Sequence, residues 1–359
     1  MEKLGLDVSF WRNKTVFLTG HTGFKGAWMC LLLKSLGAKI IGYSLDPLTT
    51  PSLFEEAQIA GILERDYRND ITNLTDMASA LSESQPDVVI HMAAQSLVIE
   101  GYDDPVGTYS TNVMGTVNIL EAVRKLQCVK AVLVITTDKC YKNIESKEGY
   151  VETDRLGGVD PYSNSKACAE LVVDCYRNSY YSSDESANID SARAGNVIGG
   201  GDWSDNRLIP DCIRAFDQKL PLQLRSPKSV RPWQHVLEPL TGYLLLVQSL
   251  CDGKGGYKYP AGWNFGPNHD SEVETQFIAE TVATLFGEGN QVEYPIIDSA
   301  YKETHLLRLK SDKANDLLNW YPKWDISQTL AATVEWYSAF LKGEDAQTIS
   351  FSQIENYFS

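Results

Sequence analysis

A doubly wound α/β fold on a parallel sheet is predicted for this 359-residue chain by three features of its first half. Short apolar runs alternate with helical stretches five times before residue 180, the pattern of strands joined by crossover helices. The first run empties into a glycine-rich turn that opens a helix. A later run ends in a cluster of hydroxyl, carboxylate and ammonium groups, at the strand end where open α/β sheets place their ligands.

Thr15-Val16-Phe17-Leu18-Thr19 reads as a short buried strand. It runs into Gly20-His21-Thr22-Gly23-Phe24-Lys25-Gly26, then an apolar helical stretch from Ala27 to Leu36 with Gly37 as its stop. Ala38 to Tyr43 is the next strand. Glycines in such a turn let the backbone bend tightly and approach a pyrophosphate, whose charge the following helix N-terminus favours. The spacing Gly-x-x-Gly-x-x-Gly differs from Gly-x-Gly-x-x-Gly, but in a strand–turn–helix context it predicts a Rossmann-type dinucleotide site. Residues 20–26 are therefore expected to hold the cofactor. An acidic residue is expected at the end of the second strand, on the adenosine ribose. By strand length Ser44 falls there and Asp46 comes slightly late, so the two stand as alternatives. No arginine cluster awaits a 2′-phosphate nearby, which favours NAD over NADP.

A weak strand is expected around Ile62-Leu63, before Asp66-Tyr67-Arg68-Asn69-Asp70-Ile71-Thr72. Asp87 to Ser96 contains a strand ending in small residues that let a cofactor lie close, and Thr111 to about Leu126 predicts a long amphipathic helix. Val132-Leu133-Val134-Ile135 predicts a buried parallel strand, and Thr136-Thr137-Asp138-Lys139-Cys140-Tyr141 emerges at its carboxyl end. Asp160-Pro161 opens another helix, Asp as N-cap and Pro as first helical residue. Tyr162 and Lys166, four apart, share a face of it. A phenol beside an ammonium is a proton-transfer unit, since positive charge favours phenolate.

Beyond Asn196 the alternation breaks down. Loops rich in Gly, Pro and Trp (Gly199-Gly200-Gly201-Asp202-Trp203, Asn206 to Pro210, Arg231-Pro232-Trp233-Gln234-His235) interleave with short helices. The expected organisation is a Rossmann domain over 1–190 carrying the catalytic residues, and a smaller, mixed α/β substrate domain over 191–359 whose segments can cross back to the sheet. The net charge of -15 argues against non-specific nucleic-acid or anionic-membrane binding, though not against a small anionic ligand. The seven cysteines show neither a C-x-x-C pair nor zinc spacing, so no metal site is expected and a reducing compartment is. Met1 to Asp7 lacks a signal-peptide core and no apolar run approaches membrane-span length, so a cytoplasmic protein is expected.

These residues resemble the extended short-chain dehydrogenase/reductase family, which contains nucleotide-sugar epimerases and dehydratases. The resemblance spans nearly the whole chain. It rests on Thr19-Gly20-x-x-Gly23-x-x-Gly26, Asp70-Ile71, His91-x-Ala93-Ala94, Thr111-Asn112-Val113-x-Gly115-Thr116, Thr136-Thr137-Asp138, Tyr162-x-x-x-Lys166 and Arg193-x-x-Asn196. A polar residue after Thr137-Asp138 is similar to the 4,6-dehydratases of the family, where that residue is commonly Glu; here it is Lys139. The Thr137-to-Tyr141 run, His21, Phe24 to Trp28, Pro51-Ser52-Leu53-Phe54 and the two Trp-containing loops resemble the branch acting on CDP-glucose.

The resemblance implies NAD held also by Asp70, Ile71, Ala93, Ala94, Gln95, Asn112, Thr136, Tyr162 and Lys166, and catalysis by Thr137, Asp138, Lys139, Tyr162 and Lys166. Tyr162 would take the sugar 4-hydroxyl proton while hydride passes to NAD+, Thr137 would hold the 4-oxygen, and Asp138, protonated through burial, would supply the proton for the departing 6-hydroxyl. Lys139 would be a neutral base for the C5 proton, a cation stabilising the enolate, or a solvent-facing side chain. Arg193, Arg207 and Arg231 are candidates for the substrate diphosphate, because guanidinium forks match phosphate oxygens. Asn196 and Leu208 are expected beside it. Trp203 and Trp233 line the pocket or plug their loops, and His235 orients the arginine loop. His91 is read as a packed histidine, and Cys140 has no expected role. The helices after residues 105 and 160 are expected to pair in a homodimer or a dimer of dimers, as the family does, and the product to serve deoxysugars of a bacterial surface polysaccharide. The rivals are a 4-epimerase, a dehydratase of GDP- or dTDP-sugars, and a non-catalytic NAD sensor.

Overall fold

The computed structural model describes residues 5–183, 186–253, 262–295 and 305–359. Residues 1–4 of the amino-terminal stretch read above lie outside them. The strands are β1 (Thr15–Thr19), β2 (Lys39–Ser44), β3 (Arg65–Arg68), β4 (Val88–His91), β5 (Ala131–Ile135), β6 (Asn188–Ala194), β7 (Asn196–Ile198), β8 (Leu222–Gln223), β9 (Val230–His235), β10 (Trp263–Phe265), β11 (Glu272–Glu274) and β12 (Val292–Glu293). Seven form one parallel sheet in the order β10-β6-β5-β4-β1-β2-β3. The chain reverses its direction of travel between β1 and β4, and it is outside that switch point that such sheets bind ligands. A small sheet, β11-β9-β7, and the pair β12-β8 stand beside it.

Alternating side chains along the strands explain the burial of both faces. Val16, Leu18, Ile40, Val88, Ile90, Leu133 and Ile135 enter a core with the glycine-loop helix Phe24–Ser35, the helix Leu237–Cys251 and the carboxyl-terminal helices Ile326–Leu341 and Ala346–Phe358. Phe17, Ile41, Tyr43, Val89, Val132 and Val134 enter a second core with helices Leu74–Ser84, Gly115–Val123 and Pro161–Ser179. Gly26 to Leu33 are all buried, so the glycine-loop helix is enclosed all round. Each of its leucines contributes roughly 2 kcal/mol by leaving water. That enclosure fixes the loop before it.

Two expectations shift. The strand expected around Ile62-Leu63 is a 3-10 turn, Ile59–Ile62, and the strand follows at Arg65–Arg68. Polar side chains hid β3, an edge strand whose exposed positions lack the apolar alternation of its neighbours. The helix expected from Thr111 starts earlier: Pro105–Tyr109 leads through a π-helical turn, Ser110–Met114, into Gly115–Val123. Such turns are common at functional sites, and this one carries Asn112. β10, from the later half of the chain, lies beside β6 at the edge of the main sheet.

Candidate active site

The glycine loop is shaped by two steric demands. Gly20 has φ +75°, and a Cβ there would lie 2.6 Å from the Ala93 nitrogen. A Cβ on Gly26 would lie 2.0 Å from the Gly20 carbonyl oxygen. A Cβ on Gly23 would meet only that oxygen, at 3.5 Å, so its outer side is open. Gly23 is also the N-cap of the glycine-loop helix, and no side chain caps it. Uncapped first-turn amides beneath an open backbone fit the pyrophosphate of a dinucleotide.

Beside the loop, Thr22 Oγ1 meets Ser44 Oγ at 2.9 Å and donates to the Leu45 carbonyl at 3.0 Å. Ser44 is buried at the end of β2, whereas Asp46 is exposed. His21 is buried, its Nε2 2.9 Å from Asp66, which also accepts two 2.8 Å bonds from Arg68. Another Arg68 nitrogen lies 3.4 Å from Asp46. Alternation along β3 puts Asp66 and Arg68 on one face, so this arginine is a further neighbour of the corner. Both alternatives, Ser44 and Asp46, lie in this corner.

At the end of β4, Thr19 Oγ1 accepts from the amides of Met92 and Ala93, both at 3.1 Å. Its own proton therefore goes to His91 Nδ1, 2.7 Å away, and His91 carries its proton on Nε2. Burial holds His91 down at about 3. It is a neutral, packed histidine. Ala93 and Ala94 follow, half-buried. Asn112 Oδ1 accepts from the Gln95 amide and Nδ2 donates to the Gln95 carbonyl, each at 2.9 Å, and also to Ser165 on the helix Pro161–Ser179 at 2.9 Å. Asn112 and Gln95 thus fasten β4's exit to the helix Pro161–Ser179, with their amides engaged in protein contacts. The Asp70 carbonyl accepts from Tyr43 at 3.1 Å, and Ile71 is buried in the core.

The helix Pro161–Ser179 starts as read: Asp160 is its N-cap, accepting from the Ser163 amide at 2.9 Å, and Pro161 is its first residue. Tyr162 and Lys166 are buried and face the end of β5. Lys166 Nζ donates to the Ile135 carbonyl at 3.0 Å, while the Tyr162 phenol lies beside Thr137. Burial pushes the phenol up to about 12, opposed by Thr137 and by the Arg207 charge. Burial pushes Lys166 down to about 8. Thr137 also donates to Asp138 Oδ1 at 3.0 Å, whereas Asp138 Oδ2, fully buried, has no partner. Burial raises the Asp138 carboxyl and lowers the Lys139 ammonium. The buried thiol of Cys140 is pushed far above its ordinary value and is inert.

Around Asp138 and Tyr162 gather Lys25, Lys139, Lys166, Arg207 and Arg231. Lys25 Nζ donates to Tyr243 at 3.1 Å and is pushed down to about 7, chiefly by burial and then by Lys166 and Arg207. An acidic protein has gathered a cationic cluster. Arg207 lies within 3.4 Å of Ser96 and 3.9 Å of Asp202, so it crosses from the helix Leu208–Asp217 to the end of β4. Arg231 donates to the carbonyls of Val230 at 2.9 Å and His305 at 3.4 Å. Leu208 is half-buried beside Arg207, and Asn196, half-buried, starts β7.

Three expected substrate contacts are placed elsewhere. Arg193 is buried on β6 in an ion pair with Glu170, 2.6 Å, so its guanidinium is engaged within the protein. Trp233 is in the core and donates to the Val273 carbonyl at 3.2 Å. His235 is wedged between Trp28 and Trp324, and its Nδ1 accepts from the Leu237 amide at 3.3 Å. Burial holds it at about 3, far from orienting an arginine by charge. Trp203 plugs its loop, packed edge-on against Trp336 and Tyr337. Long-range partners decide these positions: Glu170 for Arg193, Val273 for Trp233, and Trp28 with Trp324 for His235.

The profile of the family described as GDP-mannose 4,6 dehydratase matches residues 17–333. The CDP-glucose 4,6-dehydratase of Salmonella typhimurium is 45% identical over 360 residues, 99% of this chain and 99% of that one. A dTDP-glucose 4,6-dehydratase of Xanthomonas campestris pv. campestris is 27% identical over 344 residues, covering 90% and 93%. Among solved structures, the dTDP-glucose 4,6-dehydratase of Bacillus anthracis in complex with NAD has a TM-score of 0.75 at 23% identity, over 94% of this chain and 99% of that one. The fold and site define a nucleotide-binding protein of the extended short-chain dehydrogenase/reductase type. More narrowly, the chain belongs to the GDP-mannose 4,6 dehydratase family.

Proposed function

We propose that this chain is an NAD-dependent nucleotide-sugar 4,6-dehydratase that converts CDP-glucose to CDP-4-keto-6-deoxyglucose and water. The observation that carries the reading is the cationic cluster in which a buried carboxyl with one unmet oxygen, Asp138, stands between Tyr162 and Lys139. The similarity to the Salmonella enzyme supports CDP-glucose as the sugar. Gly20 to Gly26 would hold the cofactor, with Ser44 near its ribose. Bound NAD+ supplies a hydride acceptor for C4 of the sugar and later the donor for C6.

The chain's own groups move the protons. Tyr162 receives the 4-hydroxyl proton once its own has left, and the positive side chains around it lower the cost of that phenolate. Thr137 donates to the 4-oxygen as it becomes a ketone. The ketone acidifies C5–H, and Lys139, driven towards its neutral form by burial, takes that proton and gives it back to C5 as hydride reaches C6. Asp138, whose carboxyl burial pushes towards its protonated form, gives its proton to the departing 6-hydroxyl. Arg207 and Arg231 face the substrate diphosphate. A Lys139→Ala variant is expected to lose roughly 10²-fold or more in kcat; elimination of water at the wild-type rate would remove Lys139 from the mechanism.

We infer further that the sheet and its glycine loop mainly serve the cofactor while residues beyond 191 mainly serve the nucleotide sugar. A homodimer is supported by exposed Val106 and Leu171 on the helices after residues 105 and 160. A cytoplasmic role in deoxysugar synthesis for a surface polysaccharide fits the seven free cysteines. Among the described residues no helix is long and apolar enough to cross a membrane. The test is incubation with NAD+ and CDP-, dTDP-, GDP- or UDP-sugars, followed by mass analysis. Loss of one water from CDP-glucose alone is expected. Loss of water from another sugar overturns the substrate, an isomer of unchanged mass means epimerisation, and no change with any of them overturns the enzyme.

A further inference from the structure

Glu170 lies one helical turn beyond Lys166 on the catalytic helix and is buried. Its two oxygens tie three elements together. Oε1 accepts from the Thr136 hydroxyl at the end of β5, and Oε2 accepts from Ser191 at 2.7 Å and Arg193 at 2.6 Å, both on β6. Arg193 also donates to the Tyr141 hydroxyl at 2.7 Å, and Tyr141 donates to Asn264 of β10 at 2.8 Å. Thr136 and Tyr141 bracket Thr137-Asp138-Lys139. Both ends of that segment therefore hang on one ion pair. Stability alone does not account for it, because well-packed apolar side chains commonly hold such a place as well or better.

We propose that Glu170 and Arg193 are positioning residues, which clamp Thr136–Tyr141 from both ends against the helix that carries Tyr162 and Lys166. The kinetic arm of this inference rests on the dehydratase reading. Burial raises the Glu170 carboxyl, but the Arg193 charge and the bonds from Arg193, Thr136 and Ser191 outweigh it and leave Glu170 an anion. The titratable groups facing Lys166 are Glu170 on its own helix, Cys140 on the turn after β5, Lys25 on the glycine-loop helix and His91 on β4. Cys140 stays a thiol and His91 neutral, so Glu170 is the negative charge that helps Lys166 keep its proton.

The decisive variant is Glu170→Gln with Arg193→Met, which removes both charges so that neither is left buried alone. Thr136→Val removes one bond of the clamp with little change of shape. We would measure kcat and KM against pH, and follow Lys166 by NMR of ¹³C-labelled lysine ε-carbons, assigned with Lys166→Met. The clamp predicts that the folded double variant loses ~10²-fold in kcat with KM within about twofold, the cost typical of misplaced groups. The alkaline limb of kcat and the Lys166 midpoint should move to lower pH. Thr136→Val should lose ~10-fold in kcat by the same argument. A folded double variant with wild-type kcat and an unmoved Lys166 midpoint overturns the proposal. Should the double variant fail to fold, wild-type kcat in Thr136→Val overturns it. Should wild-type protein turn over no nucleotide sugar, the dehydratase reading fails, and the Lys166 midpoint still decides the clamp: an unmoved midpoint overturns it.

Discussion

Two carboxyl groups, Asp138 and Glu238, are almost equally hidden, at 1% and 0% exposure, and burial pushes both upward. Glu238 has a bonding partner for each oxygen. It accepts from the amides of Lys323 at 3.0 Å and Trp324 at 2.8 Å and from the Tyr357 hydroxyl at 2.7 Å, pinning the carboxyl-terminal helix to the helix Leu237–Cys251. Asp138 accepts one bond from its neighbour Thr137, and its second oxygen has none. An unmet buried polar atom costs about 1–3 kcal/mol. The fold has satisfied the carboxyl that holds the scaffold and left one oxygen unmet on the carboxyl of the cationic cluster. Unfinished hydrogen bonding at Asp138 is consistent with the acid role proposed above, since proteins keep local inconsistencies at functional sites and offset them elsewhere.

Substitution at each position is the strongest way to break the comparison. Asp138→Asn keeps the shape and removes the proton donor, so kcat should fall ~10³-fold, within the usual range for a general acid. KM and the urea midpoint should hold, or the midpoint rise slightly. Glu238→Ala should do the reverse. It leaves three donors without acceptors and should lower stability by ~3 kcal/mol, read by urea titration, while kcat of the folded fraction stays at the wild-type value. An Asp138→Asn protein that unfolds, beside a Glu238→Ala protein that does not, would reverse the assignment of roles.

The contrast also separates what the sequence could tell from what it could not. The glycine loop, the Asp160-Pro161 start and the Tyr162/Lys166 pair are local patterns, and local patterns are legible because a turn or one helical repeat sets their geometry. Glu170 was within reach by the same logic, four residues past Lys166 on the same face. Arg193, Trp233 and His235 were misplaced for a different reason. Their neighbours Glu170, Val273 and Trp324 lie far away in the chain, and strand pairing decides which face each side chain takes. Tyr243 gave no signal at all. It sits in the helix Leu237–Cys251, whose residues are buried on nearly every side, so no periodic pattern singles out the one position that reaches Lys25.

The smallest effect sharpens the comparison by charge instead of bonding. Lys25 and Lys166 are pushed down to about 7 and about 8 by burial, while an unfolded lysine keeps its proton to about 10.5. Between pH 7 and 9 the unfolded chain therefore holds more protons than the folded one, and these two lysines make stability rise with pH. An anionic ligand requires the opposite. Its attraction is greatest where both ammonium groups are charged, below pH 7, and it weakens as they lose protons through 7 and 8. Raising the pH from 6.5 to 9 should thus lower the affinity for NAD+ and for the nucleotide sugar several-fold, of the order expected for losing one or two charge-assisted contacts. Over the same window the urea midpoint should rise. Calorimetric binding and urea titration on one set of buffers would read both slopes. Flat slopes in both would mean that the two lysines are solvated and ordinary, and that burial does not set their charge.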